Sequence, residues 1–109
     1  MAYDEELAER VRGVLPPVPV RERRMFGGLA FLVGGHLAVA ASGEGLMLRC
    51  DPADAERLLA EPGVSRMVMR GRELDGWLRT TAEAVADDAA LARWVEVGTT
   101  YAGSLPPKD

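Results

Sequence analysis

Apolar residues at Tyr3, Leu7, Val11, Val14 and Leu15 recur three or four positions apart, which predicts a helix from Tyr3 to Leu15 with Asp4 as its N-cap. Glu5 and Glu6 follow in the first turn, where negative charge complements the helix dipole. Pro16-Pro17-Val18-Pro19 ends the helix, because proline lacks an amide donor and keeps the residue before it extended. Beyond it the pattern changes to short apolar and β-branched runs between glycine-rich breaks. These predict strands from about Arg23 to Val33, from Leu37 to Ala41 and from Leu46 to Cys50. Gly34-Gly35 supplies the positive φ angles of a two-residue hairpin turn, and Ser42-Gly43-Glu44-Gly45 a looser one. Gly27-Gly28, inside the first of these strands, marks a bulge or a place where another backbone comes close.

Asp51-Pro52 is a helix start, an N-cap acid followed by proline at the first helical position. The helix it opens runs from Pro52 to about Ala60 and stops at Pro62-Gly63. Val64 to Arg70 and Leu74 to Thr80 read as two further strands, separated by Gly71-Arg72-Glu73 and broken near Asp75-Gly76. A last helix begins at Asp87 or Asp88 and carries a stripe of Leu91, Trp94, Val95, Gly98, Tyr101, Ala102 and Leu105. Gly98 within that stripe lets the helix sit close to the sheet. The expected fold is α+β: an antiparallel five-stranded sheet with packed helices, in the order α-β-β-β-α-β-β-α, forming one domain over residues 1–109.

The length of 109 residues suffices to bury about two thirds of the unfolded chain's surface without a disulfide or metal. An apolar share of 48% with 28% charged residues places the chain among globular domains. The acidic start lacks the features of a signal peptide and no apolar run approaches a membrane span, so the expectation is a cytoplasmic protein with no membrane association. A lone cysteine, Cys50, agrees with a reducing compartment. The net charge of −4 disfavours general nucleic-acid binding, which draws on cations that release counterions. Positive charge is almost all arginine. Lys108 is the single lysine, so the body of the domain holds none to form a Schiff base or cradle a phosphate.

No constellation of residues commits the chain to catalysis. His36, the only histidine, sits at a hairpin tip with no Ser, Cys or carboxylate at a motif spacing. Cys50 reads as a small half-buried hydrophobe at a strand end rather than a nucleophile. One His and one Cys cannot supply a zinc site, and Asp51, Asp54 and Glu56 are accounted for by helix capping. No metal and no cofactor are expected. Arg21, Arg23 and Arg24 precede the first strand, while Arg66, Arg70, Arg72 and Arg79 flank the last two. Arg21, Arg23, Arg24, Arg70 and Arg72 form a candidate interaction patch, set against ordinary pairing with Glu22, Glu73 and Asp75. Met25, Met47, Met67 and Met69, with Trp77 and Trp94, read first as core, with an adaptable methionine-rich binding surface as the alternative.

The tetrapeptide Met25-Phe26-Gly27-Gly28 opening a hairpin resembles the N-terminal domain of the TfoX/Sxy family of bacterial competence regulators. The Gly35-His36 turn, Gly45-Leu46-Met47-Leu48-Arg49, Asp51-Pro52 and the last helix around Leu91-Ala92-Arg93-Trp94 extend the likeness over essentially the whole chain. The resemblance implies a fold similar to that of type III secretion chaperones, often dimeric. It also implies a link to positive regulators of DNA-uptake genes, whose full-length members carry a second, C-terminal domain and act beside a transcriptional activator. It supplies no catalytic residues, and Met25, Phe26, Gly27 and Gly28 enter as a structural motif.

Three functions follow in order of preference. The first is a non-enzymatic module that binds a protein partner or a second copy of itself through a sheet face or edge. The second is a nucleic-acid-associated regulator using the arginines. The third is a small-molecule binder or enzyme with a pocket between the sheet and the last helix, around Trp77 and Trp94.

Overall fold

The computed structural model describes residues 5–25, 27–43 and 45–107. The predicted N-cap Asp4, Tyr3, Phe26 of the tetrapeptide, Glu44 and the Lys108-Asp109 tail lie outside the described residues. Helix α1 spans Glu5–Val14, and the proline segment carries the chain to strand β1, Arg21–Met25. Strands β2 (Gly28–Val33), β3 (His36–Ser42) and β4 (Gly45–Arg49) follow. A 3₁₀ turn at Pro52–Asp54 leads into the short helix α2, Ala55–Leu59. Strands β5 (Val64–Met69) and β6 (Arg72–Thr80) form the second hairpin, and helix α3 runs Asp88–Ser104. Asp51 caps the 3₁₀ turn, accepting from the Ala53 amide, so the helix expected from Pro52 opens as 3₁₀ and is α-helical only over Ala55–Leu59; Asp87 caps α3, accepting from the Ala90 amide.

The sheet has six strands rather than five, in the order β1-β2-β3-β4-β6-β5 with antiparallel neighbours throughout. The extra strand arises where one continuous strand from Arg23 to Val33 was expected. Met25 pairs with Gly28, and Gly27 between them has φ +69°, so the chain folds back on itself there instead of bulging. The expected close approach falls on Gly28, where a Cβ would stand 2.3 Å from the Ala41 carbonyl oxygen. Gly34-Gly35, at φ +60° and +82°, makes the predicted two-residue turn between Val33 and His36. The β5–β6 turn is centred on Arg70-Gly71 rather than on Gly71 to Glu73, and the break near Gly76 is a register shift against β5.

All three helices share one face of the sheet. Phe31, Val39, Leu48 and Leu78 from the strands meet Val11 of α1, Leu58 of α2, and Leu91, Trp94 and Val95 of α3 in the main core. A bulge between β2 and β3 sets the fit of α3. Phe31 pairs with Val39 and Leu32 with Leu37, which leaves Ala38 as the extra residue. Ala38 joins Val33 and Ala102 in a small cluster under the end of α3, and its carbonyl lies directly beneath Gly98. A Cβ at Gly98 would come within 2.3 Å of that oxygen and 2.8 Å of a Val39 methyl.

Polar links tie the helices to the strands. Arg10 of α1 donates to Asp88 at the start of α3 and to the carbonyls of Val85 and Ala86. Arg12 grips Glu22 of β1 with a bidentate pair at 2.7 and 2.8 Å. That pair holds the Glu22 carboxyl below the usual carboxylate range.

Gly98→Ala is expected to destabilise the protein by about 1–3 kcal/mol through overpacking, despite a helix-propensity gain of about 1 kcal/mol. Gly13→Ala, whose Cβ would meet nothing within 4 Å, is expected to stabilise α1 slightly. Urea unfolding of the two variants tests both signs. Because the folded-state pKa of Glu22 is depressed, its contribution is present above about pH 4.3 and disappears as pH falls through the folded value. A Glu22→Gln variant should therefore be less stable than the parent at pH 7, with the gap closing under acid in parallel melts.

Candidate functional site

Strand residues alternate between the two faces, so whatever does not face the helices projects from the open side. One row of paired residues crosses all six strands there: Arg23, Ala30, Ala40, Met47, Arg79 and Ser65. Around it Ala30, Leu37, Ala40, Met47 and Met67 form a second buried cluster, with Met25, Leu32, Met69 and Trp77 packed on it and partly exposed. Every member comes from a strand. Leu37, Met47 and Met67 are at most 6% exposed although no helix residue belongs to the cluster. The strands and their own side chains cover one another, with small alanines at the centre and long methionines around them.

This face collects four of the chain's five methionines, Met25, Met47, Met67 and Met69. The core reading of these residues therefore holds only for the buried pair Met47 and Met67. Trp94 lies in the main core at 2% exposure, whereas Trp77 belongs to the open-face cluster. The expected pocket between the sheet and the last helix around both tryptophans is thus corrected: alternation on β6 turns Trp77 to the opposite side from Leu78, and the sheet separates the two rings. A cleft of about 540 Å³ does lie beside α3, lined by Asp51, Asp54, Arg57, Glu96 and Tyr101 among others, and by neither tryptophan.

The sheet order places the candidate arginines at its two ends. Arg21, Arg23 and Arg24 stand on β1, while Arg70 and Arg72 stand at the β5–β6 turn, with β2, β3, β4 and β6 between β1 and β5. Arg21 and Arg23 share the open face, as alternation predicts, and flank a groove of about 690 Å³ with Leu32. Among the described residues Arg21, Arg23, Arg70 and Arg72 form no ion pair, and Glu22 is held by Arg12 instead. Arg66 pairs with Glu56 at 2.7 Å and reaches Asp75 at 4.0 Å.

The two residues weighed for catalysis are engaged structurally. His36 places Nε2 2.6 Å from the Pro106 carbonyl oxygen in an exposed contact, fastening the hairpin to the chain beyond α3. Cys50 is 1% exposed within the main core, and burial, with Asp54 and Asp51 nearby, pushes its thiol up. Among the described residues no group of three or more His, Cys, Asp or Glu could hold a metal ion, and no helix is long and apolar enough to cross a membrane.

Cys50 should accordingly react with a thiol-specific reagent at neutral pH far more slowly in the folded protein than in denaturant, since the thiolate is the nucleophile and its formation is suppressed. Equal rates in both states, followed by absorbance, would contradict the burial.

Residues 14–102 match the family model of the TfoX N-terminal domain. Comparison with curated proteins and with solved structures finds no match.

Proposed function

Since the chain belongs to the TfoX N-terminal domain family, we propose that it is a non-enzymatic protein-interaction module, related to competence and transcription regulators, that docks through the open face of its sheet. The observation that carries this reading is the methionine-lined face itself, with Met25, Leu32, Met69 and Trp77 partly exposed on a buried floor and, among the described residues, no helix packed over it. Methionine side chains are unbranched and polarizable and adapt to varied partner surfaces, and a tryptophan among them offers a large rigid contact. Arg21 and Arg23 at one rim supply long side chains that, among the described residues, pair with no carboxylate. They would orient an approaching partner and set its salt dependence.

The partner is a protein of the reducing cytoplasm, and a second copy of this chain is the simplest one to test. A nucleic-acid partner is the weaker reading, since the arginines are divided between opposite ends of the sheet and the net charge is −4.

Met69→Glu and Leu32→Glu place a charge on the partly exposed rim while sparing the buried floor. Each should weaken association by about tenfold or more with little change in the unfolding midpoint. Sedimentation across a concentration series, and pull-down from host lysate at low and high salt, provide the readouts. A monomer at every concentration that retains no protein at high salt would refute the proposal, and retention of nucleic acid lost at high salt would replace it with the arginine reading.

A further inference from the structure

The two edges of the sheet differ in character. Strand β5 closes one side with Val-Ser-Arg-Met-Val-Met, and its arginine, Arg66, is taken by Glu56 at 2.7 Å. Strand β1 closes the other with Arg-Glu-Arg-Arg-Met, and its first four residues are exposed. It pairs with β2 alone, so among the described residues no strand lies beside the backbone amides and carbonyls of its outer side. An edge in that state accepts an extended chain through main-chain hydrogen bonds, and the side chains beside it decide which chain.

Those side chains are basic, and their charge is not cancelled locally. Glu22 is engaged by Arg12 of α1, which donates both of its hydrogen bonds to the one carboxylate. Arg21 and Arg23 stand on the opposite face and form no ion pair among the described residues. A groove of about 690 Å³ adjoins the strand; Arg21 and Arg23 belong to its lining, and Pro19, Val20 and Leu32 give it apolar surface. Met25, next in the row of Arg21 and Arg23, belongs to the apolar cluster of the open face. The edge therefore presents two free cations and then an apolar side chain, at the alternate-residue spacing of roughly 7 Å that an added strand would share. A second copy of this edge is a poor occupant, because it would set the same three arginines of β1 against their counterparts.

Resting on the reading of the domain as a protein-interaction module, we propose that β1 is a docking edge for an extended acidic segment of a partner protein. The segment adds to the sheet as a further strand, with carboxylates at alternate positions against Arg21 and Arg23 and an apolar residue beside Met25. Opposite charges across neighbouring strands fix its register, and the bidentate fit of a guanidinium to a carboxylate selects acidic over neutral chains.

The test is fluorescence anisotropy of the intact chain with a labelled, capped peptide that carries Glu, Glu and Leu at alternate positions and Thr between them. Saturable binding is expected, weakened about tenfold or more when the two Glu are made adjacent, since neighbours on a strand point to opposite faces. Arg21→Gln with Arg23→Gln should weaken binding by a similar factor. Arg70→Gln with Arg72→Gln, the same loss of charge at the other end of the sheet, should leave it unchanged. Peptides methylated at one or the other set of alternate backbone amides separate strand addition from simple charge attraction: one set should abolish binding and the other preserve it. Equal binding of the rearranged peptide, equal tolerance of both methylated sets, equal effects of the two arginine pairs, or preference for a single-stranded DNA oligonucleotide over the peptide would each overturn the assignment. Absence of peptide binding overturns the docking edge without touching the open face, whose own readout is the effect of Met69→Glu on sedimentation.

Discussion

The seating of α3 on β3 is the constraint from which the rest of the architecture follows. At Gly98 the helix backbone comes down onto the Ala38 carbonyl, closer than any side chain would allow. A bulge makes Ala38 the extra residue of β3 at this contact. With α3 drawn this close, Trp94 and Val95 reach the sheet residues Phe31, Val39 and Leu48 in one continuous core, and α1 closes it through Val11. The same contact commits all three helices to one side.

The open side is therefore built by a different principle. Its floor is made of alanines and methionines contributed by strands alone, buried by their neighbours. Alanine at the centre lets the long side chains of Met47 and Met67 lie down over the sheet, while Met25, Met69 and Trp77 complete the cluster from its edges and stay partly accessible. The surface that results is apolar in its middle and basic at the β1 rim. At its β4 end Arg49 joins this face to the helical side, because it pairs with Trp77 on β6 and also reaches Tyr101 on α3.

Most elements were legible in the linear pattern for local reasons. Asp51-Pro52 and Asp87 act within their own turns, the Gly34-Gly35 turn requires only two adjacent positive φ angles, and the stripe on α3 needs only helical spacing. Gly27-Gly28 was harder, since a glycine pair in an apolar run serves equally as a bulge or as a turn. Pairing of Met25 with Gly28 made it a turn and added a sixth strand. The contacts of Arg49 with Trp77 and Tyr101 were not legible at all. A lone arginine at a strand end carries no signal of its own, and its two aromatic neighbours come from β6 and α3, distant in the chain.

The sequence by itself determined the α+β class, the places where helices begin and end, the tight turns, and the kinship carried by its tetrapeptide and the segments after it. These are set by backbone preferences and short-range periodicity, which act over a few residues. Only the tertiary structure decided the sheet order, the separation of Arg21, Arg23 and Arg24 from Arg70 and Arg72, the division of Trp77 from Trp94, and the gathering of four methionines on one side. Alternation along a strand says that neighbours point opposite ways. Which of the two ways is covered depends on where the helices land, and that is settled by packing between segments far apart in the chain.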